Sequence, residues 1–443
     1  MGILAYVVAP CFLFAGLGMF GWGAWLQRKH LKGAQPGDAP HVLRIDLSRA
    51  RDRRALIGFV VSAVVFLFLT ALGSYQTYHL TESTQFCGLA CHAPMKPEFT
   101  AYHNSPHARV ACVECHVGSG TSAYLASKIN GVHQLCSMLT GGYERPIPVP
   151  VKNLRPANQT CEHCHWSEKS FGAVERVYTH FLADETNTEF SVRMLLHVGG
   201  GKHNSNSSNI HWHANPSNKV EFISTDSMRQ VIPWVRVTDS KGDVTEFSTA
   251  EFKEDTNKHP KRTMDCLDCH NRPAHRFYTP NDSVDRAMLQ GRIDRTVPWA
   301  KSNLVFALTQ DYKTEKEALD RIATHLQKTY GNQVQTNGMV AEAQRIFTTT
   351  MFPEMKASWL SYPDNSGHKD WAGCFRCHDG KHKTKDGKKT LGASDCNSCH
   401  LISAQGSGVD LEKHDRKGLD FFHIDAPYSD LDCHSCHTGS FPK

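Results

Sequence analysis

Apolar residues crowd the head of this chain and thin out behind it. Ile3–Leu26 and Ala55–Tyr75 are two nearly unbroken apolar runs that lack Asp, Glu, Lys, Arg and His. Each is as long as the roughly 20 residues an α-helix needs to cross a bilayer, so the pattern predicts two transmembrane helices. The first lacks the basic leader of a signal peptide and reads as a retained span. Between the runs, Arg28, Lys29, Lys32, Arg44, Arg49, Arg51, Arg53 and Arg54 face few acids. By the positive-inside rule that loop is cytoplasmic, and both termini lie on the other side of the membrane. Gly16-x-Gly-x-x-Gly21 falls inside the first run with no strand before it, so it reads as a helix-packing face and not as a dinucleotide fingerprint.

Behind the spans the periodicity changes. Tyr124, Leu125, Ile129, Val132, Cys136 and Leu139 mark one stripe of a helix starting near Ser122. Pro146, Pro148 and Pro150 make a rigid connector. Lys219–Ser224, Val231–Thr238 and Val244–Phe247 read as strands, with a turn at Asp239–Asp243. Further on, Thr314-x-x-Glu317 is a capping box. The helix it opens buries Ala318, Leu319, Ile322, Ala323 and Leu326 and stops at Gly331. A second helix runs from about Met339 to Thr349. The expected class is mainly α and irregular, with two N-terminal transmembrane helices and a small antiparallel β insertion. The expected divisions are residues 1–27 and 55–79 for the spans and 28–54 for the basic loop. Residues 80–170 form a first cofactor domain, 171–260 the insertion and 261–443 a C-terminal cofactor domain.

Composition adds what the pattern lacks. Among 443 residues there are 16 cysteines and 27 histidines, and the polar part holds little aliphatic core for its length. Fourteen cysteines form seven pairs: Cys87/Cys91, Cys112/Cys115, Cys161/Cys164, Cys266/Cys269, Cys374/Cys377, Cys396/Cys399 and Cys433/Cys436. A histidine follows each pair at once: His92, His116, His165, His270, His378, His400 and His437. A disulfide framework needs no such histidine, and a zinc ribbon takes its other ligands from a second knuckle. Cys-x-x-Cys-His is the c-type haem attachment signal: two thiols bond the haem and the histidine ligates its iron. The reading is seven covalently bound haem c groups, whose macrocycles also supply the missing interior. The formal charge of +5 then misleads. A ferric haem with both propionates ionised carries about −1, so seven bring the total to about −2, and nucleic-acid binding gains no support.

Each six-coordinate iron needs a second axial ligand. The candidates on short tethers are Met95, His107, His213, His275, His368, His382 and His423, with His133, His180, His197, His203 and His211 in reserve. Cys11 and Cys136, outside the pairs, read as small buried apolar residues.

Around Phe86–His116 the chain resembles the NapC/NirT family of membrane-anchored multihaem quinol dehydrogenases. A span leads into Cys87…Cys91-His92 with Met95 close by, and a second haem site follows. The whole pattern, with its His211-Trp-His213 element and extra C-terminal sites, is most similar to the seven-haem inner-membrane branch. There are departures: three residues separate Cys87 from Cys91, Met95 lies three past His92, and there are two spans. The resemblance implies menaquinol oxidation beside the first haem, at the outer face of a bacterial inner membrane, with electrons passed to periplasmic c-type cytochromes. Glu98 and Lys128 are candidate proton-handling groups by proximity in sequence. A homo-oligomer or larger membrane complex stays open. The rival readings are a terminal multihaem reductase of a nitrogen or sulfur oxyanion, and an electron conduit docked to a separate quinol-oxidising subunit.

Overall fold

The computed structural model describes residues 46–90, 92–117, 120–151, 154–166, 172–200, 209–392, 396–424 and 433–439, with scattered helical positions between Phe14 and Lys29. The remainder of the expected first span, Cys11, Cys91, and the side chains of His92 and Cys396 lie outside the described residues. Residues 1–90 and 91–443 form two compact units.

In the first unit, α1 (Ala50–Glu82) is one continuous helix of 33 residues, long and apolar enough to cross a membrane. At 1.5 Å per residue it is about 50 Å long, so it overreaches the hydrocarbon core. Ser83 ends it, its hydroxyl accepting from the Phe86 amide at 3.1 Å. Phe86–Ala90 then forms a π-helical turn. A π turn closes over one residue more than an α turn. Cys87 sits in it, in the one motif whose cysteines are separated by one residue more than the others.

The second unit begins with α2 (His92–His103) and α3 (Thr121–Thr140). Gly141 ends α3 in the left-handed conformation (φ 67°), where its own amide and that of Gly142 satisfy the last carbonyls. Four helices then build the main apolar core: α4 (Pro280–Leu289), α5 (Ala300–Leu308), α6 (Glu315–Tyr330) and α7 (Val334–Thr350). Val284, Leu304, Val305, Ile322, Leu326, Ala343, Ile346 and Phe347 are its buried centre. The expected cap is present: the Thr314 hydroxyl accepts from the Glu317 amide at 3.1 Å. Glu317 returns the bond one residue further out, to the Lys313 amide at 2.9 Å.

The small insertion became something larger. β1 (Val174–Phe181), β2 (Glu189–Leu196) and β9 (His400–Gly406) form one antiparallel sheet in the order β1-β2-β9. A second antiparallel sheet joins β3 (Lys219–Ile223), β4 (Trp234–Thr238), β5 (Val244–Ser248), β6 (Arg262–Thr263), β7 (His382–Lys383) and β8 (Thr390–Leu391) in the order β6-β3-β4-β5-β7-β8. β3, β4 and β5 are the strands the pattern predicts. The unit is therefore a mixed helix-and-sheet fold and not mainly α. β1 escaped because Val177 and Tyr178, on opposite faces, are both exposed and both apolar, which breaks the period of two. β7 and β8 are too short to carry a period. Cys136 is also corrected: it is exposed on α3.

Candidate haem sites

Each described motif opens in a single helical turn, as at Cys112–His116, Cys161–His163, Cys266–Cys269 and Cys433–Cys436. Residues i and i+3 share one face of such a turn, so both thiols address one ligand edge. The turn is closed by the histidine amide, which donates to the first cysteine carbonyl at 2.8 Å for His165, His270 and His437.

The attachment cysteines differ in depth. Cys377 is buried, but Cys164 and Cys399 are exposed, as are Cys115, Cys374 and Cys436. The backbone accounts for two of the exposed positions. Cys164 caps the short turn after His163, its amide donating to the Cys161 carbonyl at 3.1 Å. The Cys399 carbonyl accepts from the His197 amide at 2.9 Å, just beyond the end of β2, which pins its backbone to the sheet while the residue stays at the surface. A thioether bonds the rim of a macrocycle and not its centre, so an attachment cysteine at the surface still suits haem c. Cys164 and Cys399 keep their attachment role only as part of the reading below.

Six of the seven motif histidines face a second histidine. Ring centres lie 6.2 Å apart for His116 and His275, 6.0 Å for His165 and His107, and 6.3 Å for His270 and His211. The spacing is 5.8 Å for His378 and His213, 6.2 Å for His400 and His368, and 6.1 Å for His437 and His423. A metal–imidazole bond is about 2 Å, and the nitrogen sits about 1 Å from its ring centre, so two imidazoles sharing one iron have centres about 6 Å apart. All six pairs meet that spacing.

In four of the opposing rings the other nitrogen is occupied in the way metal-ligating histidines require. Nδ1 of His107 donates to the Pro273 carbonyl at 3.2 Å, that of His213 to Ile210 at 2.9 Å, and that of His275 to Glu98 at 3.0 Å. His211 Nδ1 donates to the Val198 carbonyl. A carbonyl can only accept, so these four rings carry their proton on Nδ1 and keep a lone pair on Nε2. Burial pushes His116, His270, His275, His213, His400 and His437 below the ordinary histidine value. Burial, then His213 and His382, takes His378 down to about 4. Neutral imidazole is the ligating form.

His211 and His213 belong to one 3-10 turn, Ile210–Ala214, and face different motifs. The glycine run before them is what lets this turn pack. A Cβ at Gly200 would fall 2.6 Å from the Trp212 amide nitrogen, and Gly200 itself has φ 101°. His382, expected as a ligand, does something else. It is buried, with Nδ1 2.8 Å from an Asp379 carboxylate oxygen and Nε2 2.6 Å from the Ile232 carbonyl. Both partners are acceptors, so neither nitrogen turns a lone pair toward an iron. His211, held only in reserve, stands where a ligand is needed. Its one sequence signal was its position two residues from His213.

Glu98 also departs from expectation. Both its oxygens accept from Arg272, at 3.2 and 3.1 Å, and its carbonyl and carboxylate hold His275. It is an orienting group for that ring. Lys128 lies on α3 with its ammonium 4.7 Å from the Tyr124 ring centre. Met95 is half-buried in α2.

The motifs adjoin one another. Burial and then the Cys161 thiol push Cys115 up; Cys266 is pushed up to about 11 by burial and then Cys161. Cys269 is pushed up to about 12 by burial and then Cys374. Arg376, inside the fifth motif, donates to the Asp268 carbonyl of the fourth at 2.7 Å. His368 stacks on Phe375 of the fifth motif, ring centres 4.2 Å apart, while facing His400 of the sixth.

His180, Asp282 and Asp285 also gather ligand-type atoms within 4.8 Å. Lys301 and Lys369 hold those carboxylates at 2.6 Å each, so this cluster is already charge-compensated.

Comparison with known proteins places this geometry in context. The profile described as the NapC/NirT cytochrome c family, N-terminal region, matches residues 49–171. The chain is 37% identical over 450 residues to the cytochrome c-type protein ImcH of Geobacter sulfurreducens, covering 99% of this chain and 88% of that protein. It is 26% identical over 119 residues to the cytochrome c-type protein NrfH of Wolinella succinogenes, covering 26% of this chain and 66% of that one. No solved structure matches.

Proposed function

Because the chain belongs to the NapC/NirT cytochrome c family, we propose that it is a seven-haem membrane cytochrome that oxidises menaquinol at the periplasmic face of the inner membrane and relays the electrons to periplasmic c-type cytochromes. The observation that carries the relay is the set of six histidine pairs at iron-sharing distance. Haem c supplies one-electron redox chemistry when bound. The chain's own contribution is attachment by the fourteen cysteines, the surface residues Cys164 and Cys399 among them, and axial ligation from both sides. In this reading His275 serves the second motif, His107 the third, His211 the fourth, His213 the fifth, His368 the sixth and His423 the seventh. A terminal reductase needs an iron with an exchangeable position, and none of these six arrangements offers one.

The first motif differs, and we assign it the quinol. It follows α1 directly, its cysteine spacing is altered, and Met95 lies one turn beyond His92. Quinol oxidation releases two electrons and two protons. Lys128 keeps the proton-handling assignment; Glu98 gives it up, since its oxygens are committed to Arg272 and His275.

The test uses purified holoprotein, with seven haems established by intact mass. A menaquinol analogue should reduce the haem c absorption bands, and a periplasmic cytochrome should reoxidise them. Absence of any reduction would overturn quinol oxidation and leave the docked conduit. Turnover of nitrite or sulfite with a ligand-induced high-spin change would favour the reductase.

A further inference from the structure

α3 is amphipathic in the wrong sense for a helix bathed in water. Tyr124, Ser127, Lys128, Gly131 and Leu135 on one flank of the helix are half-buried, and the polar Asn130, His133 and Gln134 on another are exposed. Its apolar stripe faces outward: Leu125 is 56% exposed, Ile129 73%, Val132 55% and Leu139 74%, with Cys136 exposed among them. These positions recur at intervals of four and three, so they form one continuous ribbon along about 20 Å of helix. A surface helix in water points such a ribbon at its own core.

We propose that α3 lies in the plane of the bilayer interface, with this ribbon among the acyl chains of the membrane that α1 spans. Three observations select lipid as the occupant. First, the chain already possesses a membrane-crossing helix, and residues 83–120 are all the sequence between its end and Thr121, so α3 starts on a limited tether from the membrane. Second, α3 is apolar on one side only. Among the described residues just Ala50–Glu82 is apolar enough to cross, which suits α3 to lying flat and not to spanning. Third, residues 117–143 contain no Asp or Glu, while Lys128 adds a positive charge, so anionic headgroups meet no repulsion there. A second anchor of this kind would restrain the unit that carries the six histidine pairs against rotating about a single tether. The inference depends on membrane anchoring alone and stands whether or not quinol is the electron donor.

The experiment is performed on holoprotein in lipid nanodiscs containing a phospholipid with a photoreactive acyl chain. After illumination and proteolysis, peptides from α1 and from α3 should both carry lipid, with the α3 adducts on Leu125, Ile129, Val132, Cys136 or Leu139. Adducts on α1 with none on α3 would overturn the proposal, and α1 serves as the control for folding and insertion. A second arm uses Cys136, which is the remaining thiol once Cys11 is replaced by Ala and the haem cysteines are thioethers. A charged, water-soluble maleimide should label Cys136 at least tenfold more slowly in nanodiscs than it labels a cysteine placed on the opposite side by Gln134→Cys in a Cys11→Ala, Cys136→Ser background. Equal rates would mean that the ribbon faces water. Efficient bridging of two Cys136 thiols by a short dithiol-specific cross-linker would assign it to a second copy of the chain. Either result would sink the interfacial placement.

Discussion

Which histidine becomes a ligand is decided by its nitrogens and not by its distance along the chain. His382 follows the fifth motif by four residues, yet Asp379 and the Ile232 carbonyl engage both its nitrogens. His213 reaches the same motif from 165 positions away, with Nδ1 bonded and Nε2 available. His213→Ala should therefore convert one haem from low-spin to five-coordinate, visible by electron paramagnetic resonance, while His382→Ala leaves every haem low-spin. The reverse result would mean that His382 is the ligand. Gly200→Ala places a methyl against the Trp212 amide and disturbs His211 and His213 together. Two haems should lose their low-spin signal in that variant, and a loss of none would show that the turn tolerates the contact. Acidity tests the same ligands. His378 falls from its ordinary 6.5 to about 4 because burial disfavours the charged ring. The unfolded chain thus binds more protons between those values, and stability is complete above about pH 6.5 and declines as the pH drops toward 4. Stability of the folded protein should therefore fall as the pH drops from about 6.5 toward 4, and a denaturant midpoint unchanged over that range would contradict the burial argument.

At the scale of elements, one buried ion pair ties helix to sheet. The Asp285 carboxylate on α4 accepts from Lys301 of α5 at 2.6 Å, from the Phe181 amide of β1 at 3.0 Å, and lies 3.0 Å from His180 Nδ1. The lysine side chain is 3% exposed and the carboxylate 5%. Removing one partner of such a pair leaves the other charge buried alone, which costs about 3–5 kcal/mol. Lys301→Ala should lower the unfolding free energy read from denaturant titration by that amount, and a change below about 1 kcal/mol would show that the site rehydrates. Leu326 offers a contrast. It fills the α4–α7 core, where no haem motif lies. Leu326→Ala should cost about 2–5 kcal/mol and leave the haem spectrum of the folded protein unchanged. Both helices of the 314–350 region were legible because burial on one face imposes its period on the sequence. β1 was not, because its two faces are alike in exposure.

At the scale of the molecule, attachment and ligation obey different rules. Attachment is local. Two thiols and a histidine within five or six residues need only one helical turn, so the seven cysteine-pair motifs, the apolar α1 and the strands at 219, 234 and 244 could be read directly from the chain. How deep each cysteine sits could not: Cys377 is buried while Cys164 and Cys399 are exposed, although their motifs read alike. Ligation from the far side is non-local. His275 follows the fourth motif yet faces the second, and His107 precedes the second yet faces the third. Short-tether reasoning named both residues but had no means of saying which motif each would meet. Only the return of the chain across itself, fixed by contacts such as Arg272 on Glu98 and Arg376 on the Asp268 carbonyl, makes those pairs. The same holds for α3: its apolar stripe was evident from spacing alone, but which way the stripe faces depends on what packs behind it. The sequence by itself determined where the cysteine-pair–histidine motifs lie and which segments are apolar, because those are properties of neighbours along the chain. The tertiary structure decided which rings oppose one another and which apolar face stays outside, because those depend on segments as far apart as His213 and His378 meeting in space.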